Sequence, residues 1–126
     1  MDRQLISQAF ADRSLLAKAK QDIFEVIEAL DKGQLRVAEK IDGAWQVNTW
    51  VKEAILLYFS LTEMQTWELP PFEYRDKISL KADLQKAGIR AVPPGTVRYG
   101  AYMAPGSILL GGYVNLGADV GPGTMV

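Results

Sequence analysis

The stretch from Thr96 to Val126, TVRYGAYMAPGSILLGGYVNLGADVGPGTMV, decides the fold. It can be cut every six residues: Tyr102, Ile108, Val114, Val120 and Val126 fall in one column, and four places beyond the first four stand Gly106, Gly112, Ala118 and Thr124. An aliphatic residue followed four places later by a small one, recurring every six, is the hexapeptide signature of a parallel β-helix. Each hexad supplies one short strand and one corner. The column residues are expected to point inward and stack on their copies, while the small residues let the backbone turn. A glycine-rich loop with scattered valines would produce a single hexad; four in succession, matched in both columns, select the β-helix. Three hexads close one triangular coil, so fewer than two coils are expected. A solenoid end needs a cap or a partner, and Val126 has neither, so the β-helix reads as cut short there.

Working backward, Pro93-Pro94-Gly95 cannot continue a helix and marks the expected boundary between residues 1–92 and 93–126. Upstream the periodicity is helical. Leu5, Ile6, Ala9 and Phe10, and then Ile23, Phe24, Ile27 and Leu30, give two amphipathic helices, the second ended by Gly33. Leu35–Ile41 then alternates, and Asp42-Gly43 before Ala44-Trp45-Gln46-Val47 predicts a β-hairpin. Asn48 or Thr49 can cap a third helix with a broad apolar face from Trp50 to Leu61. The segment EMQTWELPPFEYRD shows no period and reads as a loop pinned by Trp67 and Phe72; Ser79 is then read as the cap of a short helix ended by Gly88. The fold class expected is an α+β N-terminal domain, small and helical with a hairpin, followed by the first coils of a β-helix.

Composition narrows the chemistry. The 126 residues are 48% apolar and 23% charged, the balance of a globular chain, and the formal charge of -1 lacks the basic surplus that nucleic acid needs. There is no cysteine and no histidine, so thiolate and imidazole ligands or bases are excluded and no metal site is expected. The N-terminus is charged where a signal peptide needs an apolar run, and no stretch suits a membrane span, so the expected compartment is the cytoplasm.

Three stretches, LRVAEKIDGAWQVNTWVKEAILL from Leu35, IRAVPP from Ile89 and YVNLGADVGPGTMV from Tyr113, resemble the tetrahydrodipicolinate N-succinyltransferases, acyltransferases of diaminopimelate and lysine synthesis. The resemblance covers this whole chain but about the first half of the family's length. It implies a left-handed β-helix after a helical N-terminal domain, a homotrimer with active sites between adjacent β-helices, and transfer of succinyl from succinyl-CoA to a small dicarboxylate. It also implies one site residue, Arg90, placed where the family has its substrate-binding arginine; a guanidinium suits that task because its fork meets a carboxylate bidentately. Without the resemblance, Arg90 reads as a surface arginine before a proline turn. In the family, GTMV is followed by a catalytic aspartate and a second acid comes from a later coil, so no catalytic residue is expected within this chain, which alone is expected to be inactive. The coenzyme A contacts lie mainly in later coils, so none is named here. The segment between Tyr74 and Gly88 is shorter than the family pattern.

Other residues carry blander readings. Arg98 is expected at a solvated corner, Glu39 and Asp42 as solvated hairpin charges, and Asp119 at a β-helix corner. Gly111, Gly112 and Gly117 lie on the hexad grid without the strand-to-helix context of a phosphate loop. The competing reading of the whole is a non-catalytic binding or assembly module that trimerises through its β-helix stub.

Overall fold

Asp2 begins the first helix by accepting the Leu5 N–H at 3.0 Å, which satisfies one of the amide groups a helix start leaves free. The computed structural model describes all 126 residues. Helix α1 (Arg3–Ala11) and helix α2 (Leu16–Asp31) are joined by a single 3-10 turn at Arg13–Leu15. Helix α2 ends as its sequence predicts: Gly33 donates to the Leu30 carbonyl and Gln34 to that of Ala29, closing the last turn. Strands β1 (Ala38–Ile41) and β2 (Ala44–Val47) form the expected hairpin, with Asp42 and Gly43 both at positive φ in the turn. Helix α3 (Thr49–Leu61) follows. Asn48 stands at its cap position, but its side-chain amide donates instead to the Arg36 carbonyl at 2.9 Å, fastening the hairpin base.

The three helices enclose a core of Ile6, Ile23, Ile27, Val51 and Leu57, each fully buried. Burying such a side chain contributes roughly 1.5–3 kcal/mol. Two members of the same cluster, Ile78 and Leu116, come from the second half of the chain. The helical unit and the segment after it therefore share one core.

The segment read as a loop is a second hairpin, β3 (Gln65–Leu69) and β4 (Phe72–Asp76), turned through Pro70-Pro71. Its sequence does alternate. Trp67 and Leu69 lie opposite Tyr74 and Phe72 on one face, with Glu68 opposite Glu73 on the other. The paired prolines in the turn and the short strands hid that period. The helix expected from Ser79 is reduced to a single turn, α4 (Leu84–Ala87), between Asp83 and Gly88, both left-handed. Ser79 caps nothing: its carbonyl accepts the Tyr99 N–H, and Leu80 bridges to Arg98 in extended backbone.

From Arg90 the chain makes a circuit of very short strands: β5 (Arg90–Val92), β6 (Thr96–Val97), β7 (Tyr102–Met103), β8 (Ile108–Leu110), β9 (Tyr113–Val114) and β10 (Asp119–Val120). Strand β8 lies parallel on β5, β9 on β6 and β10 on β7, each pairing with a strand 17 or 18 residues earlier. Val126 then bonds to Ile108 and Leu110, which places it opposite Leu109. The whole is an α+β chain of helices and short two-stranded sheets.

The inward column differs from the one read off the hexads. Val97 and Met103 on β6 and β7, and Leu109 on β8 above Ala91, are the buried members, and Tyr102 and Ile108 face outward, half-buried. After Leu109, Val114 and Val120 take the inner places, opposite Val97 and Met103. The phase slips by one residue because the corner between Leu109 and Val114 holds only four residues, two of them Gly111 and Gly112. The Tyr102 ring instead packs outside, against Gly33 at the end of α2.

Where the circuit meets the helices the approach is close. A β-carbon on Gly100 would collide with the Leu116 side chain and reach 3.0 Å from Ile27, so this corner admits no side chain. Beside it, Lys81, only 5% exposed, donates to the Asp31 carboxylate at 2.8 Å and to the carbonyls of Asp31 and Ala101 at 2.9 Å. The same Asp31 oxygen accepts the Gly100 N–H at 2.9 Å. All three lysine hydrogens thus have acceptors, which is what a buried ammonium requires.

Candidate functional site

Arg90 opens β5 on the outer surface, its N–H donating to the Ser107 carbonyl at 3.2 Å. Across the pair stands Ile108, which in turn bridges to Met125. Val92 faces Leu110 in the same register. Leu110 and Met125 are more than half exposed, so the arginine sits on an open strip of apolar side chains. None of the chain's ion pairs uses its guanidinium. An uncommitted guanidinium beside apolar surface can take a carboxylate bidentately, in surroundings of lower dielectric than open water.

The other candidate groups are not gathered around it. Asp119 is a strand residue rather than a corner: it pairs with Tyr102 on β10, and its carboxylate lies 3.7 Å from the Arg36 Nε. Glu39 and Asp42 stay in the first hairpin, Asp42 exposed in its turn. No cluster of three acidic groups is placed to hold a metal. No helix is long and apolar enough to cross a membrane.

Arg98 overturns its sequence reading. It is 18% exposed rather than solvated, donating to Asp76 at 2.8 Å and to the Asn115 side chain at 3.3 Å, with its guanidinium carbon 5.5 Å from the Phe59 ring and 6.0 Å from that of Tyr113. Asp76 reaches it because it ends β4, so the unread hairpin is what draws this arginine in. Lys81 was the other residue hidden from the sequence. Its partner Asp31 lies 50 residues away, and a lysine inside a supposed short helix carries no local sign of burial.

Residues 3–61 match the family described as "Tetrahydrodipicolinate N-succinyltransferase N-terminal". A 2,3,4,5-tetrahydropyridine-2,6-dicarboxylate N-succinyltransferase of Sodalis glossinidius is 40% identical over 136 aligned positions, covering 98% of this chain and 50% of that protein. A protein of the same name from Methylobacterium sp. (strain 4-46) is 45% identical, with 96% of this chain and 48% of that one covered. One from Yersinia pestis (strain Pestoides F) is 43% identical, with 92% and 47% covered. The chain spans about half the length of the curated relatives it matches.

Proposed function

From a chain that resembles, over nearly its whole length, the N-terminal half of the tetrahydrodipicolinate N-succinyltransferases, we infer that it is the N-terminal part of such an enzyme. The observation that carries this reading is the 40–45% identity over at least 96% of the chain to the Sodalis and Methylobacterium proteins. The reaction is acyl transfer: water adds to the cyclic imine of the dicarboxylate and opens it to its amino form, the amine attacks the thioester carbonyl of succinyl-CoA, the amide forms as the carbon–sulfur bond breaks, and coenzyme A leaves as its thiol with the amine's proton. The product belongs to diaminopimelate and lysine synthesis, in the cytoplasm.

Within these residues Arg90 orients a substrate carboxylate. Its free guanidinium on an open apolar strip supports that role. The three parallel strand pairs are the first coils of a left-handed β-helix that begins near Pro93, and the apolar strip lies against a neighbouring copy in a homotrimer. The carboxylates that manage protons come from outside these 126 residues, and the chain by itself turns over no substrate. A second reading, a non-catalytic module that assembles through the same exposed strip, draws on the exposure of Leu110 and Met125.

The test uses the gene product that contains this chain, assayed for succinyl-CoA-dependent succinylation of tetrahydrodipicolinate. Losing a bidentate charge-assisted contact costs about 1.5–3 kcal/mol, so Arg90→Ala should raise KM for the dicarboxylate roughly 10–100-fold while leaving that for succinyl-CoA near its starting value. Arg90→Lys should recover part of the loss. An unchanged dicarboxylate KM would remove Arg90 from the site, and a wild-type protein that forms trimers without activity would favour the assembly module.

A further inference from the structure

The outer face of the β6–β9 pair is roofed by the β3–β4 hairpin, and the space between them is open. It is a cleft of about 380 Å³, within the size range of small-molecule pockets. Thr96, Arg98 and Tyr113 form its floor, and the apolar face of the hairpin, with Trp67 and Phe72, forms its roof. We propose that this cleft binds an uncharged, flat, largely apolar small molecule, such as a single or fused aromatic ring.

Charge excludes the alternatives. The cleft's one cation, Arg98, is matched by Asp76 at 2.8 Å and held by Asn115, so neither charge is free for a ligand. A charged ligand would have to break that pair where water is partly excluded, and removing one partner of such a pair is costly. The wall favours a ring: Phe72 and Tyr74 stack with centroids 6.3 Å apart and planes 27° apart, so this side of the cleft is aromatic and suits a flat ligand that can stack or meet a ring edge in turn. The hairpin face is also unfilled. Leu69 and Phe72 remain 56% and 50% exposed although they overhang the cleft, and apolar surface left open beside a cavity marks a binding site. The site is distinct from Arg90, which stands on the β5–β8 face, and it does not depend on the acyl-transfer reading.

Three probes with one ring system and different charge test the proposal: 2-naphthol, 2-naphthoate and 2-naphthylmethylammonium, titrated into the isotopically labelled gene product that contains this chain. The indole N–H signal of Trp67, assigned through Trp67→Phe, is the readout. Naphthol should move that signal and leave Trp45 unmoved, binding at least tenfold more tightly than either ion. Thr96→Trp, which raises a ring from the floor, should weaken naphthol at least tenfold with an unchanged unfolding midpoint. Tyr74→Ala, on the exposed hairpin, tests the same site from the roof should the first variant fail to fold. Equal affinity for the three probes, or undiminished binding in both variants, would overturn the proposal. So would a Trp67 signal that moves with protein dilution and ignores naphthol, which would give the cleft to a second copy of the chain.

Discussion

Lys81 shows how one side chain can tie two parts of a fold together. Its ammonium is almost fully buried and satisfied only by Asp31 and two backbone carbonyls, so deleting it strands a carboxylate that also holds the Gly100 N–H. Breaking a buried pair costs about 3–5 kcal/mol, and because Asp31 remains about a fifth exposed the lower end applies, about 3 kcal/mol. Lys81→Met should therefore lower the urea midpoint sharply, and adding Asp31→Asn should restore part of the loss, since the amide oxygen still accepts from Gly100 while the unpaired charge is gone. If the double variant is no more stable than the single one, the pair is not what holds this joint. At this scale the sequence was least legible. Arg90 was singled out only through the resemblance of IRAVPP to a family motif, while Lys81 and Arg98 owe their burial to partners 50 and 22 residues away, and no local pattern encodes a partner at that range.

Among the elements, legibility followed the length of the period. Helices α1 to α3 and the Asp42-Gly43 hairpin each repeat their pattern several times or carry a turn with one chemical solution, and they were read correctly. The β3–β4 hairpin alternates for only five residues a side and turns through prolines, so its period was lost. The hexad repeat was recognisable as parallel short strands, yet its phase was misassigned by one residue over Tyr102 and Ile108, because aliphatic residues occupy adjacent positions there and either could have been the inner one. Truncation separates the two registers. Leu109→Ala removes a fully buried side chain and should cost about 2–5 kcal/mol, whereas Ile108→Ala, on the half-buried outer face, should cost about 1 kcal/mol or less. Equal losses in chemical denaturation would return the column to the sequence-derived register.

For the whole molecule, the joint between helices and coils also sets a response to pH. Burial holds the Tyr99 hydroxyl above its ordinary pKa, near 10, with the charges of Asp31 and Glu28 adding to the effect; burial alone does the same at Tyr58. A group whose folded pKa is raised contributes stability that is complete below the ordinary value and fades as pH climbs through the folded one. The chain should therefore lose stability above about pH 10, and Tyr99→Phe should make the denaturation midpoint fall less steeply between pH 9 and 11.5 than in the wild type. An unaltered slope would mean that Tyr99 ionises without opening the joint. The joint also has a place in time. Asp31 is synthesised 50 residues ahead of Lys81 and 69 ahead of Gly100. Synthesis runs from the N-terminus, so α1 to α3 emerge with their core incomplete and the Asp31 carboxylate still unanswered. The later strands then bring Leu116 to the core that those helices began and Gly100 to the waiting Asp31, so the core closes only after residues far along the chain have been made.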